Sequence, residues 1–588
     1  MTGPARPAPR YGSDLLVDLL HALGIEYVSF NPGASFRGLH DSLVNHGGDR
    51  APRTILCTHE EISVALAHGY YKATGRPMAA ALHDVVGLQH ASMAIFNAWV
   101  DRVPILLLGG TGAVDASKRR PWIEWIHTAL VQGNHIRDFV KFDDQPASVP
   151  AAVESIIRAW RLMGAQPTAP VYVCLDIELQ EDPLPAGLAA LPTDLARWTA
   201  QSPIQADPAG LAQAAAWLAA ARSPVILADR VGRSAEGTAA LARLADLLAA
   251  PVLDGFAGFN YPTTSGLDAT GANVETLKGA DVILAADQVD LWGSLRPGPT
   301  TSGSRIWSVS PGAKVISLSA TELLVRSWAS DYSRTQPVDL ALVGETRLAL
   351  PALADQVAER LRPADRDARE ARRAALAAAA ARRRAAWEAE ARADAAKERV
   401  TPAYLALCLR DAVAKHDWVL SNSTLEGWTR RLWPITERYQ WTGLAGGAGV
   451  GYGIGASLGV ALAHKGSGRV VVDAQPDGDL LYCTSALWTA AAEHLPLLMV
   501  MDNNRSFGNS ETHQRRMAEQ RGHPVERRKI GTRVEEPPVD WAGVARGFGI
   551  PASGPVVRPG DLPGALATAV EAVAAGEPYL VDVVGEPL

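Results

Sequence analysis

The stretch P476-DGDLLYCTSALWTAAAEHLPLLMVMDN-N504 decides the fold. Asp477 sits on an Asp-Gly turn directly after RVVVDA, and Asn503-Asn504 directly follow PLLMVMD. Both apolar runs are short and bounded, as buried strands are, and Thr484 to Glu493 reads as a helix between them. Parallel strands need a crossover of a dozen or more residues, and the 27 positions from Asp477 to Asn504 accommodate one. Both polar groups then emerge at the carboxyl edge of one parallel sheet, where open α/β sheets bind ligands. A carboxylate oxygen and an amide oxygen there can share one hard cation. Magnesium takes few protein oxygens and completes its shell with water and phosphate oxygens, so the arrangement implies a magnesium-bridged diphosphate. The plain alternative is an Asp-Gly turn and a polar loop with no ligand.

Outward from this stretch the same alternation recurs. Near the N-terminus, Ser13 is placed to cap a helix DLLVDLLHAL that stops at Gly24. EYVSF, a helical run from Phe36, TILC, a helix from about Glu60 to Thr74, PMAAAL, a helix near Ala91–Val100, VPILLLGG and APVYVCLDI follow. Continuous apolar strands between helices predict a parallel sheet covered on both faces. A Pro-containing linker near 183–207 leads to a second unit with helices at 209–221 and 234–249 and strands PVILA, PVLD, DVILAA and KVISLS. From Pro363 to Arg399 the chain is almost all Ala, Arg, Glu and Asp, which predicts a long surface helix linking domains. Its interspersed acids argue against a nucleic-acid arm. Thr401-Pro402 opens a third unit, with WVLSNST, a Gly-rich segment, RVVVDA, PLLMVMD and YLVDVV. The fold class is α/β, with three doubly wound parallel-sheet domains expected at 1–190, 200–360 and 401–588 and the helical linker at 361–400.

Composition narrows the function classes. With 47% apolar and 20% charged residues, each unit can bury a core. A net charge of −7 gives no basic footprint for nucleic acid. No run reaches the ~18 apolar residues of a membrane span, and the N-terminus has no signal-like apolar core. Cys57, Cys174, Cys408 and Cys483 form no CxxC, which suits a reducing cytoplasm and argues against a zinc ribbon. HEEIS is not HExxH.

The Asp-Gly turn followed 27 residues later by Asn-Asn resembles the cofactor motif of the thiamine-diphosphate-dependent enzymes. The resemblance implies magnesium ligands Asp477, Asn504 and the Ser506 carbonyl, with Gly478 and Asp479 beside the diphosphate. Pro476 stands where the family has glycine, and proline fixes φ and removes an N–H. SNSTLEGW and GGAGVGYGIGASLG extend the likeness. Ser423 and Thr424 fall where hydroxyls meet the diphosphate. Gly447, Gly449 and Gly451 fall where bare backbone N–H groups favour an anion, and Val450 where an apolar side chain props the bent cofactor. CTHEEISVALAHGYYKATGRP resembles the pyrimidine-binding segment, and family spacing before Gly-Tyr selects Glu60 over Glu61 as the acid that shares a proton with the cofactor ring. The three units become pyrimidine-binding, central and diphosphate-binding domains. Each site is expected between two subunits of a homodimer or homotetramer, with Glu60 from one and magnesium from the other.

Within the family, the acetolactate synthase and benzoylformate decarboxylase branches are nearest, and the tail after Asn504 resembles a subgroup including cyclohexane-1,2-dione hydrolase. His83 lies 23 residues after Glu60, the spacing of a catalytic histidine in the decarboxylases. Ala34 stands where that branch has a serine, with Ser35 adjacent. His59, His90 and His127 are further polar candidates, His127 beside a tryptophan pair in PWIEWIHTA. The basic run His513–Lys529 reads as a surface helix or as a lid. The resemblance implies a lyase or carboligase for a 2-oxo acid or 1,2-diketone, by ylid attack, C–C cleavage, and enamine protonation or addition to a carbonyl. Hydrolysis of a cyclic dione, or oxidation with FAD, remains open; ADQVDLWG is a weak flavin signature and FAD is less expected than not. A nucleotide-binding scaffold is the non-enzyme alternative.

Overall fold

The computed structural model describes residues 7–50, 52–120, 126–185, 188, 191–192, 194–297, 307–324 and 334–586. Short, mostly apolar runs of two to seven residues become the strands of three parallel sheets. The first sheet holds β1 (Tyr27–Phe30), β2 (Arg53–Leu56), β3 (Ala79–Leu82), β4 (Leu106–Thr111), β5 (Asp143–Asp144) and β6 (Val171–Asp176), in the order β2-β1-β3-β4-β6-β5. The second holds β7 (Pro224–Ala228), β8 (Val252–Asp254), β9 (Val282–Ala286), β10 (Lys314–Ser319) and β11 (Leu340–Val343), in the order β11-β10-β9-β7-β8. The third holds β12 (Trp418–Ser423), β13 (Val470–Pro476), β14 (Leu497–Asn503), β15 (Ala552–Val556) and β16 (Tyr579–Val584), in the order β12-β13-β14-β16-β15. Pairing is parallel, for example Ile226 with Leu284 and Val500 with Val581. Every residue of β3, β4, β6, β7, β9 and β12 is buried, as strands covered on both faces require.

By packing, the chain divides into two compact units. One comprises Met1–Ser202, Ala445–Ser467 and Asp479–Leu497; the other comprises Pro203–Leu444, Gly468–Gly478 and Leu498–Leu588. In the first, the helix Glu60–Thr74 crosses the helix Tyr452–His464 at backbone contact. A Cβ on Gly69 would lie 2.0 Å from the Ala456 carbonyl oxygen, and one on Gly459 2.0 Å from that of Leu66. Part of the glycine pattern in GYGIGASLG therefore serves this crossing. In the second unit the helix Arg366–Ala393 buries only Ala380 and Ala391. It is fastened by its arginines: Arg372 donates to the Ala249 and Arg222 carbonyls and Arg384 to those of Thr263 and Ser265. A surface helix rich in arginine is thus clamped along its length, not merely tethered at its ends.

Several local expectations need correction. The first helix is Gly12–Ala22 with Tyr11 at its N-cap; Ser13 lies inside it and hydrogen-bonds Ser42 and the Gln180 carbonyl, while Asp14 accepts from the N–H groups of Arg10 and Tyr11. The helix expected near Ala91 begins at Asp84, which puts His83 at its N-cap. Asp477-Gly478 opens a short helix, Asp477–Tyr482, and the next runs Ala486–Ala492. Thr401 caps Pro402–Val413 as expected, its hydroxyl accepting from the Tyr404 N–H at 3.2 Å. The pair Trp122 and Trp125, parts of the 183–207 linker, and the extreme termini fall outside the described residues.

Candidate active site

At the carboxyl edge of the third sheet, β13 ends at Pro476 and β14 at Asn503. These are neighbouring strands, so Asp477 and Asn504 leave the sheet side by side. The Asp477 carboxylate accepts from the N–H groups of Gly478 and Arg505 and so spans the two loops. Burial, with the charge of Asp582 adding, pushes its carboxyl up to about 6 despite those hydrogen bonds. Asn504 Oδ1 accepts from the Ser506 N–H at 2.9 Å, closing a turn in which Arg505 holds φ 54°. Asn503, by contrast, points into the core and donates to Asp582. Gly478 is bare because the Phe507 ring would lie 2.9 Å from a Cβ there.

Two residues at this edge went unread in the sequence. Asp502 is the penultimate residue of β14, and its carboxylate feels the charge of Asp477. Burial pushes its carboxyl up to about 7, with Asp477 adding charge repulsion. Glu511, buried in the helix Gly508–Arg521, accepts from the Ser506 hydroxyl at 2.8 Å and pairs with Arg528 and Arg533. Asp502 was legible as the acid that closes the apolar run PLLMVM; nothing local marks Glu511. The rest of the His513–Lys529 run is largely exposed helix and 3-10 turn.

Ser423 ends β12, paired with Ala474 of β13. Its hydroxyl is buried and has no hydrogen-bond partner in the structure. Thr424 is exposed directly after it.

In the first unit, β2 delivers His59 and Glu60 to the start of the helix Glu60–Thr74. His59 caps that helix, its Nδ1 accepting from the Glu61 N–H at 3.2 Å. Glu60 is 3% exposed, and Gly87 makes room for it, since a Cβ there would sit 2.8 Å from Oε1. His90 Nδ1 lies 3.4 Å from Glu60 Oε2 and its ring stacks on His59 at 5.0 Å. Burial lowers the His59 pKa, opposed by Glu60 and reinforced by His90. Asp101 binds His68 at 3.0 Å and Lys72 at 2.7 Å, tying the helix Asp84–Val100 to the one that carries Glu60.

His83 stands beside this group. Gly33 leaves space for its ring, and Ser35, fully buried, places Oγ 2.9 Å from Nδ1. Ala34 is exposed, so the Ser35 hydroxyl braces the histidine and does not stand in for a serine at 34. His83 Nε2 lies 3.2 Å from His127 Nδ1.

The Gly-rich segment makes contacts within the chain. Gly451 and Gly453 donate to the Asp479 carboxylate at 2.6 and 3.1 Å, and Gly449 donates to Asn97 at 3.2 Å. Cβ atoms on Gly447 and Gly449 would meet Asn97, Phe96 and Met93 at 2.3–3.1 Å. The anion already at this helix N-terminus is Asp479, and the bare positions admit the helix Asp84–Val100. Val450 is 37% exposed, which removes ordinary core packing as its explanation. Glu61, near Asp479 and Cys483, has its carboxyl pushed up to about 7, by burial first and then by Asp479.

A family model described as "Thiamine pyrophosphate enzyme, N-terminal TPP binding domain" matches residues 10–133, and its C-terminal counterpart matches 422–583. The chain belongs to the thiamine-diphosphate-dependent enzymes. Benzoylformate decarboxylase of Pseudomonas aeruginosa is 28% identical over 542 residues, covering 90% of this chain and 91% of that protein. "Probable acetolactate synthase 2, chloroplastic" of Oryza sativa subsp. japonica is 24% identical, covering 98% of this chain and 83% of that one. The thiamine diphosphate-dependent 4-hydroxybenzoylformate decarboxylase of Rhodococcus jostii RHA1 shares the fold, with a TM-score of 0.75 and 20% identity over 98% of this chain and 99% of that one. This thiamine-diphosphate enzyme therefore falls with the family's decarboxylases and carboligases. Among the described residues no helix is long and apolar enough to cross a membrane.

The residues present fit the cofactor. A carboxylate, Asp477, and an amide oxygen, Asn504, on neighbouring loops at one sheet edge suit a small hard divalent cation. The orphaned Ser423 hydroxyl awaits an acceptor. Glu60 offers a buried carboxyl group.

Proposed function

We propose that this thiamine-diphosphate enzyme cleaves or forms a C–C bond next to the carbonyl of a 2-oxo acid or 1,2-diketone. The observation that carries the reading is the buried Glu60 among His59, His90 and His83, a proton-handling group that a scaffold has no use for. Bound thiamine diphosphate would supply the nucleophilic carbon and the electron sink. Glu60 would hold a proton on the cofactor's pyrimidine ring, and His83 would be the store for the proton exchanged at the substrate oxygen or carbon. Asp477, Asn504 and the Ser506 carbonyl would hold magnesium; Ser423, Thr424 and Gly478 would face the diphosphate; Val450 would prop the ring. Glu511 would fix the Ser506 turn, and Asp479 would order the Gly-rich segment without touching the diphosphate.

The relatives' printed activities favour 2-oxo acids. We further propose a cytoplasmic homodimer or homotetramer. The test is purified protein with thiamine diphosphate and magnesium against a panel of 2-oxo acids and cyclic diones, reading carbon dioxide, ring-opened acid and coupled products. Carbon dioxide release from at least one 2-oxo acid supports the lead reading. Ring opening without carbon dioxide moves the assignment to C–C hydrolysis. A visible flavin absorption band moves it to oxidation.

A further inference from the structure

We propose that His127 is a proton-sharing partner of His83, so that Ser35, His83 and His127 act as one relay. The inference rests on the proton-handling role given above to His83. Nothing in the sequence joins these three residues: they lie 48 and 44 positions apart along the chain.

The hydrogen-bond partners favour one pair of tautomers. Ser35 Oγ accepts from the Asp84 N–H at 3.1 Å and lies 2.9 Å from His83 Nδ1. A hydroxyl has one proton to give. Among the described residues, His83 Nδ1 is the acceptor within reach of it. With Nδ1 accepting, neutral His83 carries its proton on Nε2 and directs it at His127 Nδ1, 3.2 Å away. Neutral His127 must then accept at Nδ1 and hold its own proton at Nε2, away from His83. The rings meet edge to face, 5.3 Å between centroids and 77° between planes, which suits an in-plane N–H to nitrogen contact.

A second proton enters at His83 Nδ1, and the Ser35 hydroxyl turns to accept from it. That cation faces the Asp84 carboxylate at 3.8 Å and is favoured by the charge of Glu60. Burial, and the second imidazole, oppose it. Delivery then balances without another reactant. The His127 Nε2–H bond breaks as that proton leaves for the substrate. The proton between the rings moves from His83 Nε2 to His127 Nδ1, and both rings end neutral. The pair gives up one proton and titrates as a unit.

The construction around it is specific. Gly33 removes the side chain that would collide with the His83 ring at 2.5 Å, and the Asp84 N–H donates to Ser35 Oγ. The NPGAS loop thus serves the histidine twice, through an absent side chain and through a hydroxyl.

Two readouts test the relay. In cofactor-free protein, histidine ring resonances are followed through a pH titration, with His83 assigned from its own substitution. His127→Phe should raise the His83 midpoint, because the second imidazole that opposes the His83 cation is removed. In the loaded enzyme, with a 2-oxo acid that turns over, His127→Phe should lower kcat about 10–100-fold at unchanged KM and shift the pH profile. His127→Asn, whose amide oxygen can still accept from His83 Nε2 but which cannot pass a proton on, should keep that hydrogen bond without recovering the kcat. A His83 titration and a pH profile that both superimpose on the wild type in His127→Phe would overturn the relay. If His83→Ala also turns over normally, the role given to His83 fails; if His83→Ala is crippled while His127→Phe is not, only the relay fails.

Discussion

Gly69→Ala offers the most direct check on the helix crossing that carries Glu60. The added methyl would lie 2.0 Å from the Ala456 carbonyl oxygen and 2.7 Å from its carbon, where ordinary contact begins at 3.4 Å. Both obstacles are backbone, so no rotamer relieves them, and the helices must part by about 1.4 Å. Overpacking costs ~1–3 kcal/mol, and a rigid backbone clash belongs at the upper end. Alanine regains ~1 kcal/mol of helix propensity. The net loss is about 2 kcal/mol, or ~4–8 °C in melting temperature for a domain of this size. Because Glu60 begins the displaced helix, and a ~1 Å misplacement can cost about 10²-fold, kcat should fall by one to two orders of magnitude well below the melting point. Gly564→Ala is the control: it lies in the helix Leu562–Ala574 with nothing within 4 Å of its Cβ, so it should stabilise by up to ~1 kcal/mol. Differential scanning calorimetry and steady-state rates measure both. Equal melting temperatures and rates for Gly69→Ala and wild type would refute the close crossing.

Glu60→Gln should lower kcat by ~10²–10⁴ while thiamine-diphosphate affinity stays near wild type; near-normal turnover would remove Glu60 from the chemistry. Asp477→Ala should weaken magnesium-dependent cofactor binding by more than ~10-fold, since even outer partners of metal ligands cost about that, and an unchanged calorimetric Kd would discard the metal edge. Glu61 has a folded pKa of about 7, raised above its ordinary 4.5 by burial and then Asp479. Between those values the unfolded chain is ionised while the folded carboxyl keeps its proton, so its contribution makes stability fall as pH rises from about 4.5 to 7. Glu61→Gln should flatten that slope in denaturant titrations at pH 5, 6 and 7; a slope equal to wild type would count against the buried, repelled carboxyl.

The sequence was most legible where chemistry follows strand periodicity. RVVVDA and PLLMVMD are short buried runs, and their spacing alone puts Asp477 and Asn504 at one sheet edge. The Glu60 helix was readable to its ends because His59 caps it and Gly75, at φ 71°, stops it. The Gly-rich segment was less so: the pattern announces close approach but not what approaches, and the answers are Asn97, Met93 and Asp479. Ser35 and Ala34 are adjacent and chemically similar in size, yet one is buried on His83 and the other exposed; a turn of 3-10 helix, Ala34–Phe36, makes that choice.

Local patterns of side-chain size and polarity, acting over one strand or a few helical turns, determined three parallel sheets, their order of appearance along the chain and the polar groups at their ends. Only the tertiary structure decided which distant groups meet: Ser35 with His83, His83 with His127, Gly451 with Asp479, Ser506 with Glu511. Backbone periodicity sets the face a residue occupies, whereas a hydrogen bond needs two atoms within about 3 Å, a tolerance that packing of whole helices must supply.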